Sequence, residues 1–384
     1  MPQLVAALKW PCYVPLCGES EVGVSFGKPS RLSAILRCQL AGLAGVLDKE
    51  SSMRSDTIRW GILSTGSMAR TFARNLRLAQ GAELAAVASR TKKKADAFGD
   101  EFNIPRRYEG YAELAADPDV DVVYIATPNN MHKEHTLMSL ESGKAVLCEK
   151  PFATNAAEAQ VMIARARKKQ RFLMEAMWTR FLPLMAKVRG VLADGVLGDV
   201  RMLTADFGFR AKGDEMTEIL MNPAFGGGSL LDVGVYPVSL ASMVLGPPSS
   251  LATLAHLGET GVDEQAGMIL GYAGGQLALL HSSIRTTTPQ EATIMGTERC
   301  IRIHAPFWRS SKMTIVEEDG VEQVIEAPFE GDGYQFEAVE VMDCLRGGGL
   351  ESAVMPLDAS LDIMETMDRI RAQWGLRYPA DQDQ

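Results

Sequence analysis

Apolar runs of strand length alternate with amphipathic stretches of helix length between residues 58 and 175. The predicted strands are 58–63, 83–89, 121–126, 145–148 and 172–175, and the predicted helices are 68–79, 92–102, 132–142 and 156–169. Strands that alternate with helices in this way form βαβ units. The pattern therefore predicts an α/β fold whose N-terminal part is a doubly wound, parallel sheet.

After about residue 180 the pattern changes to a run of strands separated by Gly-containing turns. The predicted strands are 200–209, 250–257, 266–272, 276–283, 292–295, 300–304 and 312–317, and the predicted helices are 229–245, 334–346 and 356–374. Such a run predicts a C-terminal α+β domain with a largely antiparallel, open-faced sheet. We expect the last helix to pack back on the first domain.

The first 52 residues differ from the rest in carrying scattered Pro and Gly without a signal-peptide pattern. We interpret them as an upstream extension outside the natural product, with Met53 as its start. A weak organelle-targeting segment is the alternative. The predicted boundaries are 1–52 for the extension, 53–178 for the first domain and 179–384 for the second.

The charge balance argues against two classes of partner. The chain has 39 Lys and Arg against 48 Asp and Glu, a net charge of −9. An acidic chain without a basic stripe is a poor binder of nucleic acid or anionic membranes, and no apolar run reaches the about 18 residues of a membrane span. Six cysteines are too few for a disulfide framework, so we predict reduced thiols and a cytoplasmic protein.

The turn after the first predicted strand has the pattern of a dinucleotide-binding loop. Against G-x-G-x-x-G/A, the matching positions are Ser64, Gly66 and Ala69. Gly66 allows close approach of a pyrophosphate, and the helix that begins with Ser67 and Met68 offers free N–H groups. Ser64 departs from the pattern, and a plain strand–turn–helix is the alternative. The position in the first βαβ unit favours a Rossmann cofactor site.

The end of the second strand indicates which cofactor binds. A site for NAD carries an acidic residue there, whereas this chain has Ser89, Arg90 and a lysine run that ends at Lys94. These groups suit a 2′-phosphate, so we predict NADP rather than NAD. Lys92 and Lys93 are better explained as a solvated helix face.

The next strand also ends in polar residues. Thr127, Pro128 and Asn129 follow it, and His132 comes shortly after. Because ligands bind beyond the carboxyl ends of parallel strands, we expect these groups to contact the ribose or the nicotinamide. His132 could instead simply begin the following helix.

Two motifs carry a family resemblance. Glu149-Lys150-Pro151 follows one strand, and the Gly-rich segment 222–237 contains Asp232 and Tyr236. With the Thr127-Pro128-Asn129 strand end, the chain resembles the glucose–fructose oxidoreductase/inositol dehydrogenase (Gfo/Idh/MocA) family over residues 57–379. It is most similar to the branch of dimeric dihydrodiol dehydrogenase and NADP-dependent D-xylose dehydrogenase. The resemblance implies that Lys150, with Glu149, lies beside the nicotinamide and the substrate hydroxyl.

The residue types predict the chemistry. Oxidation of an alcohol requires a base for the hydroxyl proton, and tyrosine, with a pKa of about 10, is a weak base at neutral pH. A neighbouring ammonium favours the phenolate. We therefore assign Tyr236 as general acid/base, assisted by Lys150. Asp232, four residues earlier, would share its helix face; it either positions the substrate or is only a charge at a helix N-terminus.

Aromatic and arginine side chains form the predicted substrate pocket. They are Trp178, Arg180, Phe181 and Arg210, and the resemblance implies that Phe307 and Trp308 also line it. Aromatic faces stack on sugar rings or aromatic diols, and arginine binds hydroxyl groups. Packing between the domains is the alternative for Trp178 and Phe181.

The expected activity is NADP-dependent hydride transfer with an aldopyranose such as D-xylose, or with a related diol. The alternatives are trans-dihydrodiol dehydrogenase, 1,5-anhydro-D-fructose reductase, and a non-catalytic protein that senses NADP or binds a partner. The resemblance implies a homodimer through the C-terminal sheet. No acidic pattern surrounds His132 and His135, so we expect no metal.

Overall fold

The computed structural model describes residues 57–317 and 319–382. The extension predicted for residues 1–52 and the expected start at Met53 lie outside the described residues.

The N-terminal half is built on a six-stranded sheet in which every neighbouring pair is parallel. Its strands are β1 Ile58–Leu63, β2 Ala82–Ser89, β3 Arg106–Glu109, β4 Val122–Ile125, β5 Ala145–Glu149 and β6 Leu173–Ala176. Their spatial order is β3-β2-β1-β4-β5-β6. Strand order runs outward from β1 to β3 on one side and from β4 to β6 on the other, so it reverses between β1 and β4. In dinucleotide-binding sheets the ligand crevice lies at this point. The prediction of a doubly wound sheet is confirmed.

The helices that connect these strands begin and end at identifiable residues. They are α1 Ser67–Leu76, α2 Lys92–Phe102, α3 Tyr111–Ala116, α4 His132–Glu141 and α5 Ala156–Lys169. Thr91 caps α2 by accepting from the Lys94 amide, and Asn103 ends it in the left-handed conformation. Asn155 caps α5 in the same manner. Polar caps thus fix where α2 and α5 begin.

The C-terminal half is built on an eight-stranded sheet. Its strands are β7 Val200–Gly208, β8 Ser250–Leu257, β9 Asp263–Gly271, β10 Leu277–Ser283, β11 Ala292–Gly296, β12 Arg299–Ile303, β13 Lys312–Glu317 and β14 Glu322–Glu326. The order is β14-β13-β12-β11-β7-β10-β9-β8. The β7–β10 pair is parallel and the other neighbouring pairs are antiparallel, which confirms the predicted α+β architecture.

Further helices belong to the C-terminal half of the described chain, and the third and fifth of them pack against strands of the second sheet. They are α6 Pro183–Ala193, α7 Asp214–Leu220, α8 Val235–Leu245, α9 Gln335–Arg346 and α10 Leu357–Ala372. The last helix, α10, packs against α5 and β6 on one side and against α8 on the other. It therefore ties the parallel sheet to the helix that carries Tyr236.

Several short elements differ from the sequence prediction. The elements β3, α3, α7 and β14 were not predicted because each is short, and β3 and β14 are rich in charged residues. The eleven-residue helix α6 was also not predicted. The predicted single helix 229–245 is divided into a π-helical turn, Leu230–Gly234, and α8.

One described segment, Pro223–Leu245, is long and apolar enough to cross a membrane, but 72% of its 18-residue apolar window is buried inside the protein. Its apolar character is explained by that burial, which includes the packing of α8 against β7, β10 and α10.

Candidate active site

The predicted cofactor residues lie along the carboxyl edge of the parallel sheet. Gly66, Ser67, Arg90, Lys94 and Pro128 are exposed there, and Ser64, Met68, Asn129 and Lys150 are half-buried. Ala69, Ser89, Thr127, His132 and Glu149 are buried beneath them. The structure therefore brings the predicted residues together at one edge of the sheet, which we call the rim, with the exposed and half-buried residues at the surface and the buried ones beneath them.

The turn between β1 and α1 holds a serine where the dinucleotide pattern has its first glycine. Ser64 has a φ of 105°, a region that glycine enters freely and other residues enter at a cost. Its hydroxyl accepts a hydrogen bond from the Gly66 amide at 3.3 Å. The tight turn is therefore preserved despite the substitution, with strain stored at Ser64.

The same turn fits a dinucleotide pyrophosphate. No side chain caps the N-terminus of α1, and its first turn contains no acidic residue. A Cβ placed on Gly66 would meet only the Ser64 hydroxyl, at 3.6 Å, so the space over the glycine is open. Free N–H groups, a positive helix end and close backbone access are the features that bind phosphate.

The end of β2 presents positive charge to the rim. Arg90 and Lys94 are both exposed, and in the described part of the chain neither forms an ion pair. Lys92 by contrast pairs with Asp96 at 2.7 Å. Ser89 is buried, with its hydroxyl 3.3 Å from that of Thr65, so it links the second strand to the cofactor turn.

His132 is fully buried. Its Nδ1 lies 2.9 Å from the carbonyl oxygen of Pro151 and its Nε2 2.9 Å from that of Thr127. Burial lowers the pKa of His132 to about 4, so the neutral ring donates to one of the two carbonyls at a time. The structure thus places this imidazole between the loops that follow β4 and β5.

The loop after β4 also reaches the second domain. The Asn129 amide nitrogen donates to the Gly226 carbonyl at 3.3 Å. Gly226 and Gly228 have φ values of 71° and 113°, and a Cβ on Gly228 would lie 2.2 Å from an oxygen of Asp263. Glycine is therefore required at Gly228 both by conformation and by space.

Asp263 anchors the start of the helix that follows this Gly-rich loop. Its Oδ2 accepts from the Leu230 amide at 2.7 Å and from the Ser229 hydroxyl at 2.8 Å. From the C-terminal segment, the Tyr378 hydroxyl donates to the Gly227 carbonyl at 2.8 Å. Contacts from Asp263 and from Tyr378 thus fix the segment that immediately precedes Asp232 and Tyr236.

The three predicted catalytic residues meet in one place. Lys150 Nζ donates to the backbone carbonyl of Asp232 at 3.0 Å and lies 3.6 Å from its carboxylate. The same nitrogen lies 5.1 Å from the centre of the Tyr236 ring. Asp232 belongs to the π-helical turn, which interrupts the regular α-helical hydrogen-bond ladder, a feature common at functional sites.

Burial and charge act against each other at the tyrosine and the lysine. Burial raises the pKa of Tyr236 above its usual value, and the Lys150 ammonium only partly offsets this. Burial alone would lower the pKa of Lys150, but Tyr236, Asp232 and Glu149 outweigh it and raise that pKa. At neutral pH the site therefore holds a charged lysine beside a protonated tyrosine.

Two glutamates lie behind this pair. Glu149 accepts hydrogen bonds from the Tyr124 hydroxyl and from the Lys150 amide, and burial raises its pKa against the lowering effect of Lys150. Glu337 is fully buried, and neither of its carboxyl oxygens has a partner among the described residues. Burial, together with Glu149, raises the pKa of Glu337 well above its usual range, which favours the neutral form of this carboxyl.

Aromatic rings form a wall beside Tyr236. Trp178 donates to the Tyr236 hydroxyl at 3.3 Å and stacks on Tyr334 at 4.5 Å between ring centres. Phe207 stacks on Trp308 at 4.9 Å and lies 5.3 Å from Tyr236. The sequence reasoning missed Phe207 and Tyr334. Phe207 lies near the end of a predicted strand, and that position could have indicated a site residue, whereas no local pattern indicates Tyr334.

The other predicted substrate residues are spread around this wall. Arg180 and Phe307 are buried, Phe181 is half-buried, and Arg210 is exposed. The Arg180 guanidinium bonds to α8. In the described part of the chain, no group of three or more His, Cys, Asp or Glu is placed to hold a metal ion.

The site combines a parallel sheet whose first turn is open to a pyrophosphate with a lysine–tyrosine pair at the carboxyl edge of that sheet, and a second domain lies next to it. These features define an NAD(P)-dependent dehydrogenase. A family profile described as "Oxidoreductase family, NAD-binding Rossmann fold" matches residues 58–177, and one described as "GFO/IDH/MocA C-terminal domain" matches residues 185–302. The chain belongs to the Gfo/Idh/MocA family.

The relatives that resemble the chain include dehydrogenases and reductases. A trans-1,2-dihydrobenzene-1,2-diol dehydrogenase of Xenopus tropicalis is 38% identical, over 84% of this chain and 99% of the relative. A solved aldose-aldose oxidoreductase of Caulobacter crescentus is 26% identical with a TM-score of 0.75, over 83% and 98% of the two chains. A 3-ketoreductase of Actinomadura kijaniata, solved with TDP-benzene and NADP, is 26% identical with a TM-score of 0.71, over 82% and 97%.

The strain at Ser64 predicts a stabilising substitution. In Ser64→Gly the φ of 105° is adopted freely, and we expect the free energy of unfolding to rise by about 1 kcal/mol, since the relief of strain exceeds the extra entropy of an unfolded glycine. Urea denaturation measures the change. Ser67→Gly, at an ordinary helical position in the same turn, should be destabilised; equal losses in both variants would contradict the strain at Ser64.

Proposed function

We propose that the protein is an NADP-dependent dehydrogenase of sugars or related diols, active on an aldopyranose such as D-xylose or on a trans-dihydrodiol. The observation that carries this proposal is the Lys150–Tyr236 pair beside the aromatic wall. An aromatic wall suits the apolar face of a sugar ring or a dihydrodiol ring. The dihydrodiol dehydrogenase relatives, at 38% identity, favour the diol, and the aldose-aldose oxidoreductase favours the sugar.

The chain's own residues supply binding and proton transfer. A bound nicotinamide supplies the hydride acceptor or donor. In oxidation, Tyr236 first loses its own proton to solvent, and the substrate hydroxyl proton then passes to the phenolate oxygen as the C–H bond breaks. In reduction, the Tyr236 O–H protonates the carbonyl oxygen that receives the hydride. Lys150 orients that oxygen and stabilises negative charge on it and on the phenolate, and Asp232 holds Lys150 in place.

The substrate class is decided by a scan. Reduction of NADP is followed by absorbance with pentoses, hexoses and trans-dihydrodiols, and oxidation of NADPH with the matching ketones and aldehydes. Turnover of a sugar or a diol supports the proposal. Tight NADP binding without turnover of any member would favour the sensing protein instead.

We also propose that the protein is cytoplasmic, consistent with the free cysteines Cys148, Cys300 and Cys344.

The acid/base role of Tyr236 predicts a loss of rate without a loss of cofactor binding. Tyr236→Phe should lower kcat by about 10² to 10⁴, and Lys150→Met should do likewise. Because the pKa of Tyr236 is raised, oxidation should speed up as the pH rises into the alkaline range, and this rise should disappear in Tyr236→Phe. Steady-state kinetics across pH and fluorescence titration of NADP measure both effects.

A matched control is Tyr272→Phe, which removes a buried hydroxyl at the end of β9 and should leave the kinetics unchanged. Near-normal turnover in Tyr236→Phe or Lys150→Met would refute the assignment.

The basic rim after β2 predicts the preference for NADP. Arg90→Ala should weaken NADP binding by about tenfold, the loss of one charge-assisted bond to phosphate, and leave NAD binding unchanged. Adding Lys94→Ala should weaken NADP binding further. Lys93→Ala, on the solvated helix face, is the control. Isothermal titration with both nucleotides measures these affinities, and equal losses for NAD and NADP would contradict a 2′-phosphate contact.

The open face of the second sheet leads us to propose a homodimer. Side chains that point away from the core on β7, β8, β9 and β10 form an exposed apolar surface, which consists of Met202, Leu254, Ile269, Leu277 and Leu279. Leu254 is 83% exposed, and exposed apolar surfaces of this kind are typical of subunit interfaces. A second copy of this chain is the partner we propose.

The dimer predicts a change of mass upon one substitution. Leu254→Glu places a charge at the most exposed residue of the apolar surface and should convert the dimer to a monomer. Light scattering after gel filtration measures the mass. Leu350→Glu, at an exposed leucine on another part of the protein, should leave the dimer intact, and a monomeric parent protein would refute the interface.

A further inference from the structure

A short turn after β6 lies against the helix that carries Tyr236. It spans Trp178–Phe181, and its Trp178 and Arg180 side chains are buried, with Arg180 only 4% exposed. Trp178 donates to the Tyr236 hydroxyl at 3.3 Å. The turn therefore contacts α8 at the reactive oxygen itself.

The Arg180 guanidinium makes a second contact one helical turn further along α8. Its Nε donates to the Ser239 hydroxyl at 3.0 Å, and its Nη2 donates to the Ser239 carbonyl at 3.0 Å. Nη2 also lies 3.4 Å from the Ser242 hydroxyl. Ser239 follows Tyr236 by three residues, so the two share one face of the helix.

Burial and a neighbouring carboxyl act against each other on the pKa of Arg180. Burial lowers the pKa of Arg180 to about 10, and the neighbouring Glu175 opposes that decrease, so Arg180 stays protonated at pH 7. Glu175 belongs to β6 and is itself fully buried. Arg189 of α6 donates to the Arg180 carbonyl at 2.5 Å. From the turn that follows the last strand of the parallel sheet, Arg180 thus donates to α8 with a rigid fork of donors.

We propose that Arg180 is a positioning residue that fixes α8, so that the Tyr236 hydroxyl stays beside Trp178 and Lys150. It acts through Ser239 and makes no contact with substrate. This proposed role differs from the substrate contact that the sequence predicts. This inference rests on the proposed role of Tyr236. A small displacement of that hydroxyl is costly, because an error of about 1 Å at a reacting group lowers rates by up to about 10².

The test compares Arg180→Lys, Ser239→Ala and the double variant. Lysine keeps the charge but lacks the fork, so kcat should fall about tenfold or more while KM and the Kd for NADP stay within about threefold. Ser239→Ala should lower kcat in the same direction, and in the double variant it should add little because the two residues act as one unit. Arg59→Lys is the control: Arg59 bonds to Asp119 and Asp121 at the opposite end of the parallel sheet.

A spectroscopic readout keeps the test independent of turnover. The NMR signal of isotope-labelled tyrosine Cζ, assigned by its loss in Tyr236→Phe, reports the surroundings of the Tyr236 hydroxyl. It should shift in Arg180→Lys and in Ser239→Ala and remain unchanged in Arg59→Lys.

Three results would overturn the inference. A raised KM with normal kcat in Arg180→Lys, with Ser239→Ala silent, would indicate a substrate contact. Lower thermal stability with normal kcat would indicate a structural role only. An unshifted Tyr236 signal would show that Arg180 does not position the hydroxyl. If the parent protein turns over no substrate, the proposed function fails, while the Tyr236 signal still decides the inference.

Discussion

A buried lysine ammonium is the constraint on which the site depends. Lys150 has 12% of its side chain exposed, and a cation with so little access to water is stable only where other groups replace its hydration. Those groups come from separate parts of the chain: the Asp232 carbonyl and carboxylate, the Tyr236 ring, and Glu149 next to it. The two domains must therefore meet correctly at this point for the lysine to be compensated.

That requirement explains why the Gly-rich loop is held so firmly. Asn129 reaches it from the parallel sheet, Tyr378 from the C-terminal segment and Asp263 from the antiparallel sheet. Each contact restrains the chain just before the π-helical turn that presents Asp232. Gly228 has no side chain and therefore leaves room for Asp263. Glycine, the residue with the widest range of backbone conformations, thus stands where three elements converge.

The sequence predicted the two sheets, and it singled out Lys150, Asp232 and Tyr236, which the fold brings together, because periodicity and short motifs are local signals. It did not predict which contacts the other side chains make inside the fold. Arg180 follows an aromatic residue at a strand end and resembles a pocket residue in sequence, yet its guanidinium bonds to α8. His132 likewise connects two loops from within the core. Tyr334 joins the aromatic wall through tertiary packing alone, which no local pattern encodes.

The charges around Tyr236 bear on the direction of the proposed reaction. Burial keeps the phenol protonated at neutral pH, so the site already holds the proton that a reduction consumes. Burial also raises the pKa of Glu337. Oxidation must first remove that proton, against the desolvation that raises the pKa of Tyr236. Lys150 works in the opposite sense, because its ammonium favours the phenolate. The balance between one buried cation and its buried acidic neighbours, rather than the tyrosine alone, therefore sets how readily the site accepts a proton.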